Sequence, residues 1–110
     1  MKAAASGLNI ASAALQIRRD EAQDRRRLIL ATPVLREREL MVFASVAATL
    51  AAALRERGAD DRGALVTAEA MVAAFRVAFE YWGEHPDREL PQLVDETLEE
   101  LKAALGSAAD

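Results

Sequence analysis

The sequence ALVTAEAMVAAFRVAFEYW, residues 64–82, decides the fold of this chain. At 100° per residue its charged side chains share one narrow helical stripe, formed by Glu69, Arg76 and Glu80. Bulky apolar side chains share one face: Met71, Val72, Phe75, Phe79 and Trp82. Smaller ones share another face, with a tyrosine at its end: Val66, Ala70, Ala74, Val77, Ala78 and Tyr81. A helix on the surface of a monomer needs one apolar face, so this pattern predicts burial against its own core and against a second subunit.

A second apolar stripe, at heptad-like spacing, follows in residues 90–105. It comprises Leu90, Leu93, Val94, Thr97, Leu98, Leu101, Ala104 and Leu105. The two segments predict an antiparallel helix pair, and two such pairs would form a four-helix interface across a twofold axis. We expect a homodimer whose interface contains Val66, Ala70, Ala74, Val77, Tyr81, Val94, Leu98 and Leu101. The alternative is that the second stripe docks only within the monomer.

The whole chain of 110 residues predicts one all-α domain, a five-helix bundle whose last two helices form the dimer interface. Five glycines and three prolines leave few places where a sheet could turn. We expect helices over residues 2–19, 21–31, 33–57, about 64–82 and 88–105. The expected N-caps are Asp20, Thr32, an aspartate of the loop 58–63, and Asp87, while Gly58 and Gly106 are expected to end helices.

The composition excludes several classes of chemistry. The chain has no cysteine and one histidine, which excludes disulfides, thiolate metal sites and sites that need two imidazoles. His85 lies in the segment Gly83-Glu84-His85-Pro86 and is expected to be a solvated loop residue. Because no catalytic constellation or metal-ligand set is recognisable, we expect no enzyme activity, no cofactor and no bound metal.

Charge is distributed unevenly along the chain, whose net charge is -4. Residues 1–38 hold eight basic and four acidic side chains, whereas residues 80–110 hold two and nine. The basic cluster comprises Arg18, Arg19, Arg25, Arg26 and Arg27. It fits either a solvated, salt-bridged face or a guanidinium patch at the mouth of a pocket. The net charge argues against a chain that wraps nucleic acid by itself.

Residues 40–54 carry no charge, but they are shorter than the ~20 residues of a membrane span. They are interpreted as buried core, in a central helix surrounded by its neighbours. Their many alanines permit either tight packing or an internal cavity, and the pattern does not separate the two. Polar residues interrupt the alanine-rich N-terminus, so we expect no export signal and a cytoplasmic protein without membrane contact.

Three segments resemble TetR/AcrR-type transcriptional regulators. The run LILATPVLRER, residues 28–38, resembles the segment before the long central helix of that family. Residues 68–82 resemble its first dimerisation helix, and DRELPQLVDETLEELKAAL, residues 87–105, resembles its last helix. The likeness covers nearly the whole chain and is greatest to the actinobacterial branch with a mycofactocin-regulator-like C-terminal domain.

This resemblance implies an effector-binding and dimerisation domain over residues 1–110, with no DNA-binding domain in this chain. In a full-length repressor the effector would release DNA, which the protein would contact only through the absent N-terminal domain. The implied effector is a small apolar or acyl-CoA-like molecule, bound by Leu15, Ile29, Leu40, Phe43, Leu50, Phe75 and Phe79. The alternative is a stand-alone helical dimerisation module without a ligand, one that could pair with a full-length regulator.

Overall fold

Five α-helices follow one another in a computed structural model that describes residues 2–109, with side chains for residues 5–106. The helices are α1 (Lys2–Ile17), α2 (Arg19–Ala31), α3 (Pro33–Glu56), α4 (Asp61–Glu84) and α5 (Leu90–Ala109). No strand occurs within residues 2–109. The all-α prediction is therefore confirmed.

Two of the predicted helix boundaries have a clear local cause. Pro33 occupies the first turn of α3, where its missing N–H costs nothing. Gly58, with φ of 101°, takes the left-handed conformation that follows α3. The side chain of Asp60 then caps α4 by accepting a hydrogen bond of 2.9 Å from the backbone N–H of Gly63.

Of the other predicted boundary residues, Thr32 stands at the N-cap position of α3 as expected, whereas the predictions for Asp20, Asp87 and Gly106 are wrong. Helix α2 begins at Arg19, so Asp20 lies in its first turn, where a carboxylate still favours the positive helix end. Thr32 is extended and makes no side-chain cap bond. Helix α5 begins three residues after Asp87 and continues through Gly106, since glycine permits a helix end without imposing one.

Helix α4 lies at the centre of the packing, between α3 and α5. The main core joins α1, α4 and α5 and contains Leu8, Met71, Ala74, Ala78, Trp82, Leu90, Leu93, Val94 and Leu98. A smaller cluster joins α3 to α4 and contains Ala51, Leu54, Ala64 and Ala68. Because alanine dominates this second cluster, the α3 and α4 backbones approach closely with little side-chain volume between them.

The prediction that α3 is surrounded by its neighbours is wrong. Only Ala47, Ala51 and Leu54 of this helix are buried. Its outer side is open: Met41 is 72% exposed and Val42 is 58% exposed. Helix α4 covers one side of α3, and the absence of charge in residues 40–54 did not reveal which side. Within residues 2–109, no helix is long and apolar enough to cross a membrane.

Candidate ligand pocket and interface

A cavity of ≈ 150 Å³ lies where α2, α3 and α4 meet. Five of its lining side chains are apolar: Ile29, Leu30, Leu40, Phe43 and Phe79. The other five are charged: Arg26, Arg36, Glu39, Arg76 and Glu80. The apolar groups form a surface for a hydrophobic ligand, and the charged groups can orient a polar end.

Four of the seven side chains expected in a ligand pocket line this cavity, namely Ile29, Leu40, Phe43 and Phe79. The other three, Leu15, Leu50 and Phe75, instead pack against the main core. Leu40 remains 55% exposed, so the cavity opens to solvent beside it.

The charged side chains of the pocket are only partly neutralised. Arg26 Nη2 lies 3.0 Å from Glu80 Oε1, and its guanidinium also lies over the ring of Phe79 at 5.3 Å. Arg76 lies over the ring of Phe43 at 5.2 Å. Among the described side chains, Arg36 makes no ion pair. The cavity lining therefore holds three guanidinium groups and two carboxylates. Its net positive charge favours binding of an anionic group.

Sequence reasoning found only part of this charged set. Arg26 belonged to the basic cluster proposed for a pocket mouth. Arg36 and Arg76 were not assigned to the pocket because they lie on other helices, and the sequence does not show which helix faces meet. The described residues contain no group of three or more His, Cys, Asp or Glu side chains that could hold a metal.

Arg19 joins the α1–α2 junction to the segment between α4 and α5. Its guanidinium donates to the carbonyls of Arg88 at 2.8 Å, Trp82 at 2.7 Å and His85 at 3.2 Å. It also lies 4.7 Å from the centre of the Trp82 ring. Gln16 Oε1 strengthens the junction by accepting a 2.7 Å bond from the backbone N–H of Leu90. We call this set the Arg19 clamp.

The connection between α4 and α5 is also held by its own residue Arg88, which binds a side chain of α5. Arg88 Nη2 donates to both carboxylate oxygens of Glu96 at 2.7 Å. That hydrogen bond raises the pKa of the Arg88 guanidinium above its ordinary value. His85, expected in solvent, is only half exposed: its ring stacks on Tyr81 at 3.8 Å, and Nδ1 lies 2.8 Å from the Tyr81 carbonyl oxygen.

The eight side chains expected at a dimer interface divide into three groups: buried, exposed and half-buried. Ala74, Val94 and Leu98 lie in the subunit's own core and are covered by α1, α4 and α5. Val66, Val77 and Tyr81 are 63%, 57% and 46% exposed. Ala70 and Leu101 are half-buried.

The three exposed residues, together with Ala70 and the exposed Ala73, form a continuous row along the outer side of α4. Its members recur every three or four residues, and they are Val66, Ala70, Ala73, Val77 and Tyr81. We call this row the α4 outer stripe. It is apolar, and the described residues leave most of it open: Val66, Ala73 and Val77 are exposed, whereas Ala70 is half-buried and the Tyr81 ring stacks on His85.

A family model of TetR type, described as "MftR C-terminal domain", matches residues 5–106. No curated protein and no solved structure matches the chain.

The Arg19 clamp predicts a stability difference between two arginine positions on α2. Arg19→Lys keeps the charge but loses the planar guanidinium that reaches three carbonyls. We therefore expect the free energy of unfolding, measured in urea, to fall by about 1–3 kcal/mol. Arg25→Lys changes an exposed side chain and should stay within about 0.5 kcal/mol of the parent chain. Fluorescence of Trp82, the single tryptophan, reports both transitions. Equal stability of the two variants would contradict a structural role for the clamp.

Proposed function

Because the chain belongs to the MftR C-terminal domain family of TetR-type transcriptional regulators, we propose that it is the effector-binding and dimerisation domain of a bacterial repressor. The α4 outer stripe carries this proposal. An apolar row along a 24-residue helix, left largely open by the described residues 5–106, is the surface that a second copy would cover.

The small side chains of the stripe support direct packing of α4 against the same helix of a second copy. Ala70 and Ala73 at its middle would let two backbones approach, while Val66, Val77 and Tyr81 supply apolar area towards the ends. Val94 and Leu98 contribute indirectly, because they hold α4 and α5 together from inside the subunit. Leu101 lies half-buried on α5, towards the C-terminal end of that helix.

The cavity between α2, α3 and α4 supports effector binding. Its apolar floor and positive balance fit an amphiphile with one anionic group. A cavity of ≈ 150 Å³ accommodates an apolar group about the size of benzene. A short apolar effector therefore fits as the cavity stands, whereas an acyl-CoA-like effector requires it to enlarge.

Effector binding would change the repressor by favouring one of two helix arrangements. Helices α2, α3 and α4 all line the cavity, and α4 carries the stripe on its outer side. A ligand that prefers one arrangement by a few kcal/mol would shift the relation between two subunits. In a full-length repressor this shift would move the DNA-binding parts and release the operator.

The size of the cavity favours one alternative. Pockets for small ligands usually occupy about 300–1,000 Å³, which exceeds the ≈ 150 Å³ observed here. A dimerisation module without a ligand, able to pair with a full-length regulator, would need only the α4 outer stripe.

Dimerisation is tested with two matched substitutions. Val77→Arg places a charge in the α4 outer stripe and should convert the dimer to a folded monomer in light scattering, because an unpaired charge cannot be buried there. Val42→Arg places the same charge on the open side of α3, at a side chain of similar exposure, and should leave the dimer intact. Ala74 and Leu98 are unsuitable positions, since arginine there would disrupt the subunit core. A monomeric parent chain, or a Val77→Arg variant that remains dimeric, would contradict the proposal.

Effector binding is tested with hexanoate and 1-hexanol, which share an apolar chain and differ in charge. Hexanoate should raise the Tm of the parent chain more than 1-hexanol does, because ligand binding to the folded state stabilises it. Arg36→Gln should weaken the hexanoate effect several-fold and leave the 1-hexanol effect unchanged. Arg38→Gln removes a charge from the same helix outside the cavity lining and should change neither. If neither compound shifts the Tm, the module without a ligand is favoured and the dimer proposal stands separately.

A further inference from the structure

Helix α2 differs from the other helices that line the cavity, because none of its 13 residues is buried. Helix α4, by contrast, buries seven side chains. Leu28 and Leu30 of α2 point their apolar groups largely into solvent, with exposures of 60% and 54%. A short helix without buried residues is only marginally stable unless neighbouring side chains hold it in place.

Both ends of α2 have a one-residue break in the helical backbone. Arg18 precedes it with φ of -108° and ψ of 39°. Thr32 follows it in an extended conformation, with φ of -124° and ψ of 107°. These two positions can absorb a change in backbone angles while α1 and α3 keep their own packing.

Two polar side-chain contacts hold α2 against α4 and the α4–α5 connection, and Ala22 in its first turn also packs against the main core. The Arg19 clamp fixes the first residue of the helix. Arg26 fixes its middle through the ion pair with Glu80 and the contact with the Phe79 ring. The second of these contacts lies in the cavity wall, because Arg26, Phe79 and Glu80 all line the cavity.

Open space lies beside both halves of α2. Its second half lines the ≈ 150 Å³ cavity. Its first half lines a polar depression of ≈ 420 Å³, together with Gly83 and Pro86 from the end of α4 and the following segment. Because of this open space, a movement of α2 would displace few atoms of the neighbouring helices.

We propose that α2 is a hinged lid over the cavity and that the Arg26–Glu80 ion pair is its latch. Breaking the pair lets the helix pivot on its first residue, which the Arg19 clamp retains, while the backbone angles at Arg18 and Thr32 absorb the change. Opening enlarges the cavity towards solvent, which admits an apolar chain too long for the closed volume. The assignment of the cavity as an effector site rests on the proposed function, whereas the motion of α2 does not.

Hydrogen exchange without any ligand tests the lid directly. The amides of residues 22–31 should exchange faster than those of residues 68–82 in the parent chain, because local opening exposes them. Glu80→Gln removes the latch charge and should accelerate exchange in residues 22–31 about two- to five-fold, the effect expected of a partly exposed ion pair. Residues 68–82 should keep their parent rates.

Glu69→Gln is the matched control, because it removes the same charge from an exposed position of α4 outside the cavity lining. It should leave exchange in α2 unchanged. Parent α2 amides that exchange as slowly as those of α4 would overturn the proposal. So would a Glu80→Gln variant in which all five helices accelerate equally, since that result indicates loss of global stability.

A chain-length series separates the lid from the effector proposal. Glu80→Gln removes a carboxylate from the cavity lining and so favours both anions, but it should accelerate the association of dodecanoate more than that of hexanoate. Equal acceleration of the two fatty acids would contradict the latch, as would equal association of dodecanoate with both chains. If neither fatty acid binds, the effector proposal is overturned. Hydrogen exchange would still test whether α2 opens.

Discussion

The structure depends on one constraint: α4 carries more apolar surface than a single five-helix chain covers. Its inner side is fully used, because Met71, Ala74, Ala78 and Trp82 meet α1 and α5 in the main core. Ala64 and Ala68 meet α3. The α4 outer stripe remains open after these contacts are made. In the proposed dimer, a second copy would cover this stripe with the same residues.

The same helix also borders the cavity, so the proposed ligand binding and the proposed subunit pairing would act on one element. Phe79 belongs to both environments, since it lines the cavity and packs against the main core. Arg19 connects them further by bonding the carbonyls that end α4 while it begins α2. A displacement of α2 therefore reaches the end of α4 through a few strong, charge-assisted hydrogen bonds. This arrangement provides a short physical path between the two proposed activities.

Local signals in the sequence predicted the helices well. They did not predict which helix faces pack against each other, because those contacts join residues that are distant in sequence. Pro33, Gly58 and a capping aspartate act through their own backbone neighbours, so their roles follow from sequence alone. The stripe on α5 was assigned to the dimer because heptad spacing does not show that α1 covers Val94 and Leu98. Arg19 belongs to the basic cluster that the sequence assigns either to a solvated face or to the mouth of a pocket, because nothing near it in sequence indicates three carbonyl partners more than 60 residues away. In the cavity, Ile29 and Phe43 were found by their apolar character, which cannot distinguish them from Leu15 and Leu50 in other clusters.

Cross-linking of single cysteines tests directly whether the α4 outer stripe is the contact between two copies. The chain has no cysteine, so a single introduced thiol can form a disulfide only with another molecule. Ala73 lies at the middle of the stripe, and Ala48 is an equally small, exposed residue of α3. Residues near a twofold axis meet their own equivalents, so Ala73→Cys should form disulfide-linked dimers under mild oxidation, and Ala48→Cys should remain unlinked. Efficient linkage through Ala48→Cys together with none through Ala73→Cys would contradict the account.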